Sequence, residues 1–391
     1  MTDYMTHLPA ELFLTICELA YEPGGTYLGL VSRAFLPIAR RLAFRKVTVT
    51  RYTHLAKLCD LLSASNHVGD FVEDLLIDLE FDEDQGLPKA AKLSSLFHQL
   101  VRLETLAIKC SSRLAKFALA PKSSLSLPAL ELLVIEDPLE GWANPFDPRN
   151  YRNLVHYSEL YALELTIPRA PDTIGRYRGS NQPGCFRGLA LRGHLHNNPA
   201  IHDLISSQVF LGGLFLRDDT EAGEATLSPL LQSLHNAEYL DTLSLEQTAD
   251  DPAPLVQELA RFPNLVVLEF RHGTYTTAML PLLQGLKQLE ELYFFDGTRI
   301  AIADLRSLIA GPARAHKLKI VHLNMLVFDD VYEHRYGWTS DFTKIGVVQL
   351  LDLARGAGVK LSGPAAELAR DFARHAEVCA GCRAMVEVAK V

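Results

Sequence analysis

From residue 72 onward, apolar residues recur in the pattern L-x-x-L-x-L. The pattern runs through Val72/Leu75/Ile77, Leu103/Leu106/Ile108, Leu130/Leu133/Ile135 and Leu160/Leu163/Leu165. It continues as Phe186/Leu189/Leu191, Leu211/Leu214/Leu216, Leu240/Leu243/Leu245, Leu265/Leu268/Phe270 and Leu289/Leu292/Phe294, with a weaker copy at Leu318/Val321/Leu323. From Leu103 to Leu289 the intervals are 27, 30, 26, 25, 29, 25 and 24 residues. In each copy the last two apolar positions alternate as a half-buried strand does, pointing into one core. Between them lie stretches with helical apolar spacing: AKLSSLFHQLV, SPLLQSLHN, APLVQELARF, AMLPLLQGLK and ADLRSLIAG. One strand and one helix per unit, with the strands parallel, predict a curved α/β solenoid.

Over residues 72 to 325 this repeat resembles leucine-rich repeats. One family feature is missing. The Asn or Cys three residues after the last strand leucine is replaced by Ser111, Pro138, Pro168, His194, Asp219, Thr248, Gly273 or Gly297. Without that side-chain ladder the turns are expected to be irregular. Insertions near Gly141–Tyr151 and Pro168–Cys185 interrupt the period; the first reads as a loop on the rim, the second as a mobile Gly/Pro/Arg-rich segment.

Ahead of the repeats the pattern changes. Leu8, Leu12, Ile16 and Leu19 follow helical spacing, with Pro9 near the helix start, where its missing N–H costs nothing. Pro23-Gly24-Gly25 stops that helix, and Leu28, Val31, Phe35, Ile38, Ala39 and Leu42 predict another. LPAEL…I…L followed by LVSRAF.PIAR..AFR.V.V resembles an F-box, in particular the version common in fungal F-box proteins. The resemblance implies docking onto the Skp-type adaptor of a cullin–RING ubiquitin ligase. It assigns Leu8, Pro9, Leu12, Ile16, Leu30, Val31 and Phe35 to the docking surface and the small core of the module. The stretch Glu22 to Gly29 departs from the family in being short and Gly-rich. The competing reading is a helical cap on the end of the solenoid.

Composition sharpens this division. Of 391 residues 67 are leucine, much of which the repeat accounts for, and the net charge is −9. Residues 8 to 49 carry five basic and three acidic side chains, net +2, which leaves −11 for the rest. A basic module on an acidic body suits an acidic partner, and a whole-chain nucleic-acid footprint is not supported. The six cysteines are scattered, so a reducing compartment is the default. There is no basic n-region with an apolar stretch behind it and no run of about 18–20 apolar residues, so an intracellular, soluble protein of cytoplasm or nucleus is expected.

The register also predicts the exposed strand positions. The residue after the last strand leucine runs Asp78, Lys109, Glu136, Thr166, Arg192, Arg217, Glu246, Arg271, Phe295, Asn324. The residue between the inner leucines runs Leu76, Ala107, Val134, Glu164, Ala190, Phe215, Ser244, Glu269, Tyr293, His322. Adjacent strands lie about 4.8 Å apart, so these are nearly continuous columns. Arg192, Phe215, Arg217, Arg271, Tyr293 and Phe295 are therefore expected on the concave side as substrate-binding residues, because aromatics and arginine anchor interfaces. Arginine also suits an acidic or phosphorylated segment. The alternative is that Glu246 and Glu269 neutralise those arginines in a solvated ladder.

Beyond Trp338 a helix around Ile345 to Leu353, a short strand at Gly358–Leu361 and a helix from Pro364 read as a final repeat and cap. On the last helix His375, Cys379 and Cys382 share a face and are weak metal-ligand candidates. That helix is similar to the ligand helix of zinc-binding anti-sigma factors, without their nearby fourth ligand; two small thiols packing the cap is the other reading. The acidic run Glu80 to Gly86 lacks the spacing of a calcium loop and reads as a solvated turn. No phosphate loop, nucleophile elbow, H-E-x-x-H or kinase set is present.

The expectation is an α/β chain with no cofactor and no catalysis: a small helical F-box (1–50), a leucine-rich-repeat solenoid (51–330), and a final repeat with a helical cap (331–391). Its expected partners are the Skp-type adaptor, through it a cullin–RING ligase, and a protein substrate, with neither nucleic acid nor membrane. A scaffold without ubiquitin-ligase role and a metal- or redox-responsive regulator are the alternatives.

Overall fold

The structure, a computed structural model, describes residues 36–64, 67–79, 88–109, 114, 118, 127–136, 157, 159–167, 186–195, 199–218, 227–247, 253–271, 273–275, 280–295, 298–311, 314–324 and 344–379. Leu8, Pro9, Leu12, Ile16, Leu30, Val31 and Phe35 lie outside the described residues, as do Cys382, the acidic run at 80–86 and both insertions. The chain divides into two compact units, Met1–Pro168 and Arg169–Val391.

In the first unit helix α1 (Leu36–Arg45) passes directly into strand β1 (Lys46–Val49). Then come α2 (Tyr52–Ala64), β2 (Asp74–Asp78), α3 (Ala90–Gln99), β3 (Thr105–Lys109), β4 (Leu132–Glu136) and β5 (Ala162–Ile167). The five strands pair in chain order, all parallel, and the repeat leucines fall in register as Leu75, Leu106, Leu133 and Leu163. These leucines are buried together with Leu55, Leu58, Cys59 and Leu62, whose three- and four-residue spacing gives α2 one apolar face. Burying each such leucine contributes about 1.5–3 kcal/mol. At the N-terminal ends of the strands one carbonyl accepts two N–H groups: Glu104 and Thr105 donate to Glu73 O at 2.8 and 3.0 Å, and Glu131 and Leu132 donate to Glu104 O at 2.8 and 3.0 Å. This doubled bond stitches each repeat to the one before it.

The second unit holds β6 (Gly188–Gly193), α4 (Pro199–Ser206), β7 (Gly213–Asp218), α5 (Ser228–Gln232), β8 (Thr242–Gln247), α6 (Ala253–Glu258) and β9 (Val267–Phe270). It continues with β10 (Gly273–Tyr275), α7 (Leu280–Gln284), β11 (Glu291–Phe295), β12 (Thr298–Ile300), α8 (Ile302–Ala310) and β13 (Ile320–Asn324). Among the described residues the last three elements are α9 (Lys344–Gly356), β14 (Lys360–Ser362) and α10 (Pro364–Val378). The main sheet runs β6-β7-β8-β9-β11-β13-β14, and its strands pair in parallel. Leu189, Leu214, Leu243, Leu268, Leu292, Val321 and Leu361 form one buried register row, and Phe270 stacks on Phe294 at 6.0 Å beside it. The architecture is the leucine-rich-repeat solenoid, α/β in class, that the apolar pattern predicts. No helix among the described residues is long and apolar enough to cross a membrane.

Where the asparagine ladder is missing, two neighbouring turns are nonetheless regular. β10 follows β9, β12 follows β11, and the two pair in parallel. Fully buried Thr298 donates its hydroxyl proton to Phe270 O at 3.0 Å, which satisfies the last carbonyl of β9. A buried hydroxyl thus does here what the missing amide would do.

Candidate interaction surface

Along every strand of the second unit's main sheet, alternate residues leave the core and stand on the sheet face opposite the buried leucines. The register sets Ala190, Phe215, Ser244, Glu269, Tyr293, His322 and Ser362 side by side in one column. In the next column Arg192 is the partner of Arg217, Arg217 of Glu246, and Phe295 of Asn324. Six residues expected from the sequence, Arg192, Phe215, Arg217, Arg271, Tyr293 and Phe295, therefore lie on one face.

Arg271 is the centre of this cluster. It follows β9 directly, and its N–H donates to Leu245 O at 2.9 Å, which ties its backbone to β8. Its guanidinium carbon lies 5.2 Å from the Phe215 ring centroid and 4.2 Å from that of Phe295. Between those rings Nε donates to Ser244 Oγ at 3.2 Å and Nη2 to Glu269 Oε2 at 3.1 Å. Ser244 is small, so the space above β8 stays open for the arginine to lean across. A cation between two ring faces and a carboxylate is held by cation–π attraction, a hydrogen bond and an ion pair together.

Arg192 approaches the Phe215 ring at 5.2 Å. Arg217 Nε is 3.7 Å from Glu246 Oε1, and its side chain is 45 % exposed. On the other flank Tyr293 stacks beside Phe295 at 6.3 Å and lies 5.1 Å from His322, whose Nδ1 is 3.0 Å from Ser362 Oγ. Tyr293 donates its phenolic proton to Glu291 Oε2 at 2.7 Å. That bond to Glu291, aided by burial and by the charges of Glu291 and Glu269, pushes the Tyr293 phenol up to about 12.

The sequence columns do not single out four contributors to this surface. Ser244 and His322 are legible as column members, but their roles depend on side-chain direction. Glu291 sits at an outward position earlier on its strand than either column. Ser362 falls where the repeat pattern breaks, so only the pairing of β13 with β14 places it.

The face of the first unit has another character. Half-buried Leu76, Ala107 and Val134 form its middle column, and Lys109 lies 2.9 Å from Glu136 beside them. At the C-terminal end His375 and Cys379 close α10, with the Cys379 N–H donating to His375 O at 2.9 Å. Among the described residues no group of three or more His, Cys, Asp or Glu side chains is arranged to hold a metal ion.

No protein-family model matches the chain, and no curated protein matches it significantly. Among solved structures it is similar to an internalin (inlF) from Listeria monocytogenes str. 4b F2365, with 14 % identity, 76 % of this chain and 81 % of that chain covered, and a TM-score of 0.36. Internalin C2 (inlC2) of the same organism gives 22 % identity, covering 56 % of this chain and 80 % of that one, with a TM-score of 0.29. TLR13 from a complex with ssRNA13 gives 11 % identity, 77 % and 47 % coverage and a TM-score of 0.30. At such identities and scores, function has to be argued from the residues of this chain.

Proposed function

We propose that this chain is the substrate-receptor subunit of a Skp/cullin/F-box ubiquitin ligase. The observation that carries the proposal is a juxtaposition: the F-box-like string from Leu8 to Val49 stands directly before a leucine-rich-repeat solenoid. The solenoid supports the coarser role of protein-interaction scaffold, because its sheet exposes an arginine–aromatic surface. In this reading Leu8, Pro9, Leu12, Ile16, Leu30, Val31 and Phe35 engage the Skp-type adaptor, and through it the cullin–RING assembly. Arg192, Phe215, Arg217, Arg271, Tyr293 and Phe295 form the substrate-facing surface. The chain then needs no cofactor or chemistry of its own, and it works in the cytoplasm or nucleus, where the adaptor is. It raises the effective concentration of a bound protein beside the ubiquitin-charged partner.

Co-purification with the adaptor tests this. The parent chain is expected to retain it, and a Leu8→Ala, Pro9→Ala double variant to lose it by about tenfold or more with thermal unfolding unchanged. The second reading, a scaffold whose N-terminal helices merely cap the repeats, has one observation in its favour. Helix α1 runs without a linker into β1, with Ala39 and Leu42 buried and the Glu73 N–H donating to Arg45 O at 2.9 Å. A parent chain that never captures the adaptor would establish that reading instead.

A further inference from the structure

On the outward columns a carboxylate is repeatedly met by a cation on the preceding strand. Lys46 lies 3.3 Å from its register partner Asp74, Lys109 lies 2.9 Å from Glu136, and Arg217 lies 3.7 Å from Glu246. Glu291, the first outward residue of β11, departs from this pattern. Its register partners are Val267 on β9 and Ile320 on β13, both half-buried. Among the described residues no cation pairs with it. The nearest candidates are engaged or distant. Lys319 is 2.6 Å from Glu290, and Arg271 is 3.1 Å from Glu269. Lys360 stands on β14 beyond Ile320, two strand spacings or about 10 Å from Glu291.

The group that does meet Glu291 is neutral. Tyr293 donates its phenolic proton to Oε2 at 2.7 Å, and the same bond helps to keep that proton in place up to about pH 12. The pair therefore carries one whole negative charge, and Oε1 accepts from no described group. The walls beside this carboxylate are Val267 and Ile320, with the Tyr293 ring next along the strand. Apolar walls limit how well water screens the charge, so a cation arriving there is attracted more strongly than on an open surface. Lys and Arg suit such a place, because their methylene stems lie on apolar surface while the charged head reaches a carboxylate.

From this we infer that the face over β9, β11 and β13 binds a protein segment through one Lys or Arg side chain. The cationic head sits at Glu291, the stem lies along Val267 and Ile320, and an adjoining apolar residue rests on the rings of Tyr293, Phe295 and His322. This deepens the proposed substrate-facing surface and rests on it. The arginines of that surface suggest an acidic segment, but Arg271 is already answered by Glu269, and the charge left open beside the rings is an acid. Glu291 becomes the residue that selects the base.

The test uses the full chain on immobilised decapeptides with a central Leu-Lys-Leu in an otherwise neutral sequence, and the same peptides with Arg, Gln or Glu for Lys. The Lys and Arg peptides are expected to retain about tenfold more chain than the Gln peptides, as a charge-assisted pair should. Glu291→Gln keeps the side chain's size and an oxygen for Tyr293, so it should melt as the parent does and lose the preference. Val267→Lys sets a cation beside Glu291 as Lys109 stands beside Glu136, and should lose it too. Equal retention of Lys and Gln, preference for Glu, no retention at all, or a preference that persists in either variant when normally folded would each overturn the inference. Persistence would trace the preference to the acidic chain as a whole. The adaptor is absent from this assay. A chain that captures the adaptor but ignores the base keeps the receptor function and loses this site, and the opposite result separates them the other way.

Discussion

Tyr293 and Arg271 show how much a single position on the exposed face depends on its neighbours. The Tyr293 phenol, ordinarily at 10.0, is pushed up to about 12, first by its hydrogen bond to Glu291. Between those values the unfolded chain gives up the proton while the folded chain keeps it, so the native state binds more protons and stability falls as pH rises. The contribution is complete below pH 10 and lost as pH passes about 12. Tyr293→Phe has no such proton, so the stability difference between parent and variant is expected to shrink across this window. Urea midpoints measured for both chains from about pH 9 to 12 would read it, and parallel curves would refute it.

Arg271 and Arg217 look alike in the sequence columns and differ in the structure. Arg271→Ala strips contacts from Phe215, Phe295, Ser244 and Glu269, and is expected to cost about 1–2 kcal/mol. Arg217→Ala removes a side chain that is 45 % exposed to solvent and is expected to cost less than Arg271→Ala. Denaturant midpoints of the two variants would rank them. Column membership is legible from the leucine spacing, because strands of one period must align. The clamping of Arg271 is not, because it needs Ser244 to be small on one strand and Phe215 and Phe295 to stand on two others.

At the scale of elements, the long strands follow directly from L-x-x-L-x-L, and the helices near AKLSSLFHQLV, SPLLQSLHN, APLVQELARF, AMLPLLQGLK and ADLRSLIAG form where the apolar spacing puts them. The pair β10–β12 is not legible in this way. Each strand has three residues, too few for a period, and its pairing depends on the repeats already being stacked. The seam between β14 and α10 has a similar origin. Gly363 there has φ 93°, and a Cβ would lie 2.5 Å from Leu323 O on the neighbouring strand. Backbone conformation and space both exclude a side chain at this position. Gly363→Ala should therefore lower stability by about 2 kcal/mol or more, seen as a depressed thermal midpoint. A midpoint equal to the parent's would show that β14 is not packed as described.

On the scale of the whole molecule, the charge division has a measurable consequence. Residues 8 to 49 carry net +2 and the remainder −11. If the basic segment meets an acidic adaptor, association should slow by about tenfold when salt rises from about 0.05 M to 0.5 M, since exposed charges are screened. Arg217→Gln, far along the chain from that segment, should co-purify with the adaptor as the parent does. Rates insensitive to salt would remove charge steering from the account, and loss of adaptor in Arg217→Gln would remove the separation of roles.

The sequence by itself determined the repeat, its register and the outward columns, because a two-residue strand period and leucine burial admit one alignment of adjacent strands. It also carries the F-box-like string, and the residues from Leu8 to Phe35 to which that resemblance assigns docking lie outside the described residues. Only the tertiary structure decided which arginine is clamped between two rings, that Thr298 takes over a turn the missing asparagine would have closed, and that Gly363 has no room for a side chain beside Leu323. The physical reason is the same in each case. Periodicity along one strand orients a side chain, but the volume and charge it meets come from strands of other repeats, which become neighbours only once the repeats stack.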